Sequence, residues 1–268
     1  MDHHIIQPTD ALKPFVRYFW SLESPGIAGS PREFRTIADG SPGFLFQSPE
    51  HGSFSREGKQ LPQAFLFGQA TVHGKLDLSG DLAATGICFY PQALKSLFGL
   101  NATLLTDSCA GIGELYQHSS LADQLSGAEA PQDRIRLLSN FLLAELKKRK
   151  TEHKELDHAL ELILKSKGSI SVRSLCETIC LTERTFERRF KEYIGISPKL
   201  FSRICRFQSS LKQFQGNDYQ RFSDIVFAND YADQSHVIRS FKEFAGISPT
   251  KLQKQPVSLI DNFSEIRE

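Results

Sequence analysis

Two stretches set 51 residues apart repeat one another: residues 186–198 read FERRFKEYIGISP and residues 237–249 read VIRSFKEFAGISP. Eight of the thirteen positions are identical: Arg188/Arg239, Phe190/Phe241, Lys191/Lys242, Glu192/Glu243, Gly195/Gly246, Ile196/Ile247, Ser197/Ser248 and Pro198/Pro249. A solenoid needs about three or more units to bury its faces. Two copies of one helical unit therefore predict a tandem pair of like motifs rather than an extended array.

Each copy has the pattern of a helix-turn-helix. In the first, Ser171 is placed to cap a short helix running to Ile179, because its hydroxyl can accept from an orphan backbone N–H of the first turn. Val172, Leu175, Cys176 and Ile179 fall on one face of that helix, the spacing of an amphipathic surface. Thr182 can cap a second helix to about Ile194, so roughly three residues separate the two, as the motif requires. Phe186, Phe190 and Tyr193 would point inward, and Gly195 supplies the permissive residue past the helix end. The opposite face carries Glu183, Arg184, Glu187, Arg188 and Lys191. Arginine can hold a guanine edge with two hydrogen bonds and glutamate can accept from cytosine. A solvated helix face would show the same stripe, so one copy alone does not decide the matter.

The second copy weighs against that bland alternative. A helix over residues 223–229 leads through Asp230, Tyr231 and Ala232 into one over residues 233–245. Val237, Phe241 and Phe244 repeat the inward pattern, while Gln234, Ser235, Ile238, Arg239 and Lys242 form the outer stripe. Glutamine can bond adenine bidentately and an isoleucine can touch a thymine methyl. Between the motifs, Ser197 and Pro198 open a helix bearing Leu200, Ile204, Phe207, Leu211 and Phe214 on one stripe. Such a rigid linker would hold two recognition helices at a fixed spacing, and successive major-groove faces lie about 34 Å apart along one side of a duplex.

Charge divides the chain in the same way. Its net charge is only +1, but residues 1–146 hold 10 Lys/Arg and 15 Asp/Glu, whereas residues 147–268 hold 22 and 16. An acidic half joined to a basic half predicts that only the second meets phosphate. The seam is expected near residue 150, after an amphipathic helix with Ile135, Leu138, Phe141, Leu142 and Leu146 in register. That helix runs into Lys147, Lys148, Arg149 and Lys150, which suit its C-terminus and would otherwise be a solvated run. The domains expected are therefore 1–150, 151–256 and a tail over 257–268. In the first, residues 15–22, 34–38, 43–47, 64–67, 75–78 and 85–90 read as strands bounded by turn residues. A helix opens at Pro91, covers residues 93–98 and stops at Gly99. The fold class expected is α+β. A small β-sheet or barrel-like domain with helices precedes an all-α domain whose two helix-turn-helix motifs share a linker helix.

The C-terminal residues resemble the DNA-binding domain of the AraC/XylS family of bacterial transcription regulators. The run from Asp230 through Gln234, Ser235, His236, Arg239, Phe241 and Lys242, followed by Gly246-Ile247-Ser248-Pro249, is similar to the family pattern around its second motif. The resemblance covers roughly residues 155–255. It implies that the second helix of each motif enters the major groove, which by position assigns Arg184, Glu187 and Arg188, then Gln234, Ser235, Ile238 and Arg239. Lys191 and Lys242 extend the same stripes. Three positions depart from the pattern: Asp230 stands where a turn glycine is usual, Val226 where a smaller residue is usual, and Val237 where an aromatic is usual. Aspartate tolerates the left-handed conformation better than most residues, so the turn is expected to survive. The departures predict looser packing or weaker binding in the second motif. The first half, with Tyr18-Phe19-Trp20 and the segment 86–94 entering a helix, resembles sensor-like domains fused to some family members. There such a domain binds an effector, mediates dimerisation, or both.

The partners this implies are double-stranded DNA, a small-molecule effector in the N-terminal domain, a second copy of the chain, and RNA polymerase if the protein activates. A partner-binding N-terminal domain that senses nothing fits the same residues. No stretch approaches the roughly 18 apolar residues of a membrane helix, and the start of the chain lacks the layout of a signal peptide. A cytoplasmic protein is therefore expected. The five cysteines, Cys88, Cys109, Cys176, Cys180 and Cys205, are odd in number and irregular in spacing, against a disulfide framework. Cys176 and Cys180 would share a helix face and read as small core thiols rather than as a metal pair. Alkyl-transfer DNA-repair proteins carry a like DNA-binding domain beside four thiolate ligands, and too few cysteines lie upstream here. No phosphate-cradling loop or nucleophile elbow is present, so no catalytic residue, cofactor or metal is expected. His3 and His4 read as a mobile end. Phe44, Phe46, Phe65, Phe67 and Phe89 read either as strand core or as the lining of an apolar pocket.

Overall fold

The computed structural model describes residues 2–25, 32–116, 120–148, 153–216, 218–254, 259–260 and 263–265. The first half builds strands β1 (Asp2–Ile6), β2 (Val16–Ser24), β3 (Arg32–Thr36), β4 (Gly43–Gln47), β5 (Ser53–Arg56), β6 (Lys59–Gln60), β7 (Ala64–Phe67), β8 (Gly74–Ser79) and β9 (Leu82–Phe89). Helix α1 (Ala93–Phe98), a 3-10 turn over Ala102–Leu105, strand β10 (Cys109–Gly111) and helices α2 (Ile112–Leu115), α3 (Leu121–Gly127) and α4 (Pro131–Lys148) complete it. One antiparallel sheet runs β1-β2-β9-β4-β7-β10. The second runs β3-β8-β5-β6 and is extended at its β3 edge by β12 (Phe263–Glu265) and β11 (Leu259–Ile260).

Three layers follow from which side chains alternate inward. Leu22, Leu45, Phe65 and Ala84 of the first sheet face Phe34, Phe54, Leu76 and Leu78 of the second. On its other face the first sheet buries Phe44, Phe46, Leu66, Ile87 and Phe89 against α1 and α4, through Leu94, Leu97, Phe98, Leu138 and Leu142. The central strands β4 and β9 are buried at every position, because both of their faces are covered. In this layering Phe44, Phe46 and Phe89 are core, and of the five phenylalanines only Phe65 and Phe67 border a cavity. His3 and His4 are not a loose end. They pair with Leu22 and Ser21 in the β1–β2 ladder, where main-chain hydrogen bonds hold a strand whose side chains stay largely outside.

The second half is helical: α5 (Lys154–Lys165), α6 (Val172–Ile179), α7 (Glu183–Ile194), α8 (Pro198–Gln215), α9 (Phe222–Ala228), α10 (Gln234–Ala245) and α11 (Pro249–Lys254). Arg149 and Lys150, and the expected seam itself, lie outside the described residues. Helix α8 is the spine. Its Phe201, Ile204, Phe207, Leu211 and Phe214 are buried in one cluster with Phe186 and Phe190 of α7 and Val237, Phe241 and Phe244 of α10. Val226 and Val237, the two departures expected to loosen the second motif, are both buried in that cluster. Cys180 departs from the core reading. It is exposed at φ 54 as the left-handed residue that ends α6, so its thiol lies outside the packed face on which Cys176 sits half-buried.

Candidate nucleic-acid interface and the joint behind it

Both motifs are built by local capping. Ser171 Oγ accepts from Ser174 N at 3.0 Å and Thr182 Oγ1 from Thr185 N at 3.4 Å. Cys180 through Thr182 form the turn between α6 and α7. In the second motif Asp224 accepts from Arg221 N at 2.8 Å to start α9, and Asp233 accepts from His236 N at 2.7 Å to start α10. The second turn is longer than the sequence pattern predicts, because α9 ends at Ala228 and Asp233 stays outside α10 as its cap. Asp230 takes the left-handed conformation at φ 53, and Arg206 Nη1 donates to its carbonyl at 3.1 Å. Aspartate here does the work of the expected glycine.

The outer faces carry the predicted residues. On α7, Arg184, Glu187, Arg188 and Lys191 are exposed. On α10, Gln234, Ser235, Arg239 and Lys242 are exposed and Ile238 is half-buried. Arg188 Nη1 lies 3.2 Å from Glu192 Oε1, one turn on. Such a pair holds the guanidinium in place but is weak in water. Arg239 Nε donates to Ser235 O at 3.3 Å, which lays its side chain back along α10. Neighbouring charges are turned elsewhere. Arg189 reaches Glu155 of α5 at 3.5 Å, and Glu243 is held by Arg203 of α8 at 2.5 Å. The outer stripe of α10 therefore presents cations without a carboxylate. His236, at the start of that helix, packs edge-on against Tyr231 at 5.2 Å instead of facing outward.

The first half grips the opposite ends of these two helices. Thr106 Oγ1 donates to Gly195 O at 2.7 Å, just past α7, and Ser96 Oγ lies 3.2 Å from Tyr193 Oη. Gly195 sits at φ 105, and a Cβ there would stand 3.1 Å from Thr106 Oγ1. At α10, Ala38 N donates to Phe244 O at 3.0 Å and His73 N to Glu243 O at 3.1 Å. Gln208 Nε2 of α8 donates to Ala38 O at 2.8 Å. Ile37 and Ala38, expected as strand, leave β3 at Thr36 and join the hydrophobic cluster of the helical half.

Behind this joint, between the sheets, lies a cavity of about 150 Å³. Its wall includes Trp20, Leu45, Phe65, Phe67 and Ile37, with Asp39, Ser41 and Gln69 among its polar groups. Trp20 can lie there because its β9 neighbour is Gly86, where a Cβ would come within 2.3 Å of the indole. Asp39 accepts from Ser41 N at 3.0 Å. Burial pushes its carboxyl up to about 6, against the pull of Arg17. Burial also pushes the Cys88 thiol on the same wall up to about 11, which keeps it protonated and a poor nucleophile. Among the described residues no group of three or more His, Cys, Asp or Glu could hold a metal ion, and no helix is long and apolar enough to cross a membrane. The polar lining that sequence reasoning missed was illegible because Asp39, Ser41 and Gln69 sit in connections, where no periodicity marks them.

Residues 4–111 match the model of a domain of unknown function (DUF6597), and residues 175–255 match that of a helix-turn-helix domain. No curated protein matches the chain. Among solved structures the chain is similar to ToxT from Vibrio cholerae, at 12% identity, over 87% of this chain and 97% of that one, with a TM-score of 0.47. It is also similar to unsaturated fatty acid bound ToxT from Vibrio cholerae strain SCE256, at 11% identity, over 87% and 92% of the two chains, with a TM-score of 0.45. With two capped motifs on a shared linker helix, residues 175–255 carry a helix-turn-helix domain of the AraC type.

Proposed function

We propose that this protein is a sequence-specific transcriptional regulator. In this reading α7 and α10 enter neighbouring major-groove segments, and the first half modulates them through an effector or through pairing of two chains. The observation that supports it best is the matched exposure of the two outer stripes while both helices are buried along their inner faces against α8. Arg184, Glu187, Arg188, Gln234, Ser235, Ile238 and Arg239 would read bases, and Lys191 and Lys242 would neutralise phosphate. Base contacts specify and phosphate contacts position. The division of labour places the acidic domain over residues 1–150 and the DNA-binding domain over 151–256, with action in the cytoplasm. RNA polymerase is a further partner if binding activates transcription.

The test is selection of bound fragments from a random duplex library with the full chain, at two salt concentrations. A recovered motif with two contact blocks about one helical turn apart is the expected result. A single block would make the second motif subsidiary. Binding without enrichment, lost as salt rises, is non-specific phosphate affinity and would overturn the reading.

A further inference from the structure

One side chain bonds main-chain acceptors at both motifs. Arg206, on α8, donates from Nη2 to Gly168 O at 3.0 Å and from Nη1 to Asp230 O at 3.1 Å. Gly168 lies in the connection from α5 into the first motif, and Asp230 lies in the turn of the second. The guanidinium carbon also stands 5.9 Å from the centre of the Tyr231 ring, within the range of a cation–π contact. Its Nε is covered and unpaired, so part of the group is out of water, where a hydrogen bond counts for more. The connection through Gly168 runs hard against α8. At φ 80, a Cβ there would stand 2.0 Å from Ser202 O, so only glycine fits. The motifs otherwise rest on α8 through rings: Phe190 against Phe201 in the first, Phe207 against Phe241 and Phe244 in the second. Apolar packing is non-directional and would tolerate a small roll of either motif about α8. The guanidinium fork is rigid and planar, so its two arms meet both carbonyls at one relative placement of the motifs. Arg203, one turn earlier, reaches Glu243 and the Phe244 ring, both on α10.

We propose that Arg206 is the positioning residue that sets the two motifs relative to one another, and with them the spacing between contact blocks that the protein accepts in its operator. This rests on the reading of α7 and α10 as base-reading helices and adds the group that fixes their separation. Arg206 then governs discrimination between spacings, while recognition of either block alone stays with the outer stripes.

The full-length protein and its R206M and R206K variants are compared on the selected two-block operator, on duplexes with one base pair inserted or removed between the blocks, and on each block alone. Methionine keeps an apolar stem and loses both bonds. Lysine keeps the charge but is a point donor without the fork. In both variants the preference for the selected spacing is expected to fall about tenfold, the worth of one hydrogen bond to a charged group. Affinity for each block alone is expected to be unchanged. A uniform loss on every duplex, or a preference that R206M retains, overturns the assignment. A preference that R206K retains overturns the argument from the fork.

A second readout needs no operator. Glu177 of α6 and Phe227 of α9 are both exposed. Nitroxides attached there through ketone-bearing residues leave the five cysteines alone and report the distance between the motifs in the full chain. One narrow distance distribution is expected with Arg206 in place, and a broader one in R206M and R206K at an unchanged circular dichroism spectrum. An unchanged width overturns the proposal. If the wild-type protein selects no two-block operator, the base-reading assignment fails, and the distance distribution still decides whether Arg206 sets the motifs.

Discussion

Single side chains carry opposite duties on the two faces of α7. Arg188 stands on the outer stripe, steadied by Glu192, and its replacement by alanine removes a candidate bidentate base contact. Affinity for the selected site is expected to fall by about 1–3 kcal/mol while affinity for random duplex changes far less. An equal loss on both sequences would make Arg188 a phosphate contact. Two residues on, Phe190 has no exposed surface and meets Phe186 and Phe201 at 5.4 and 5.9 Å between ring centres. Phe190→Ala should lower stability by roughly 3–5 kcal/mol, read by denaturant unfolding. Asp39 is a third kind of residue. Its folded pKa, about 6, lies above the ordinary carboxyl value of 3.8, so the folded state binds more protons between those values. Stability from this group is then greatest below both values and declines as pH rises through about 6, by at most about 3 kcal/mol. Asp39→Asn should flatten the fall in melting temperature across that window. An unchanged slope would assign the pH dependence to other groups.

At the scale of elements, legibility followed burial pattern. Strands β4 and β7 and helix α1 stand where their apolar runs and flanking turn residues put them. The edge strand β1 left no signal. It buries no side chain fully, and its order comes from main-chain pairing with β2, which composition cannot report. Strand β5 turns only Phe54 inward, too little for an alternation. The helical half was legible because each capping residue is also a sequence signal: Ser171, Thr182 and Ser197 cap as their types predict. The second turn was misjudged by a residue or two, because Asp233 could equally open a helix or cap one. Its left-handed residue gives a test. Asp230→Gly removes the Cβ strain at φ 53 and keeps the carbonyl that Arg206 binds, so stability should change by less than about 1 kcal/mol, toward gain. A large loss would show that the Asp230 side chain holds the turn in a way its backbone angle does not reveal.

For the whole molecule, the acidic and basic halves meet at the C-terminal ends of α7 and α10, away from their outer stripes. The joint rests on main-chain acceptors at Gly195, Glu243 and Phe244, with side-chain contacts from Tyr193 and Gln208, so it constrains where the helices sit without occupying the side chains that would touch DNA. Among the described residues, the cluster around α8 draws only Ile37, Ala38 and the half-buried Ala70 from the first half. A fragment spanning residues 153–254 should therefore fold by itself. Phosphate contacts release counterions, and the logarithm of the binding constant falls with the logarithm of salt by about 0.9 per contact. If those contacts belong to the basic half alone, the fragment and the full chain must share one salt slope, whatever their affinities. Lys191→Ala or Lys242→Ala should each reduce that slope by about one in both proteins. The joint can change the intercept, by favouring or opposing the pose that binds, but not the number of phosphates met. A steeper slope for the fragment would mean that the acidic half screens part of the duplex from the basic face, and the separation of reading from control would fail.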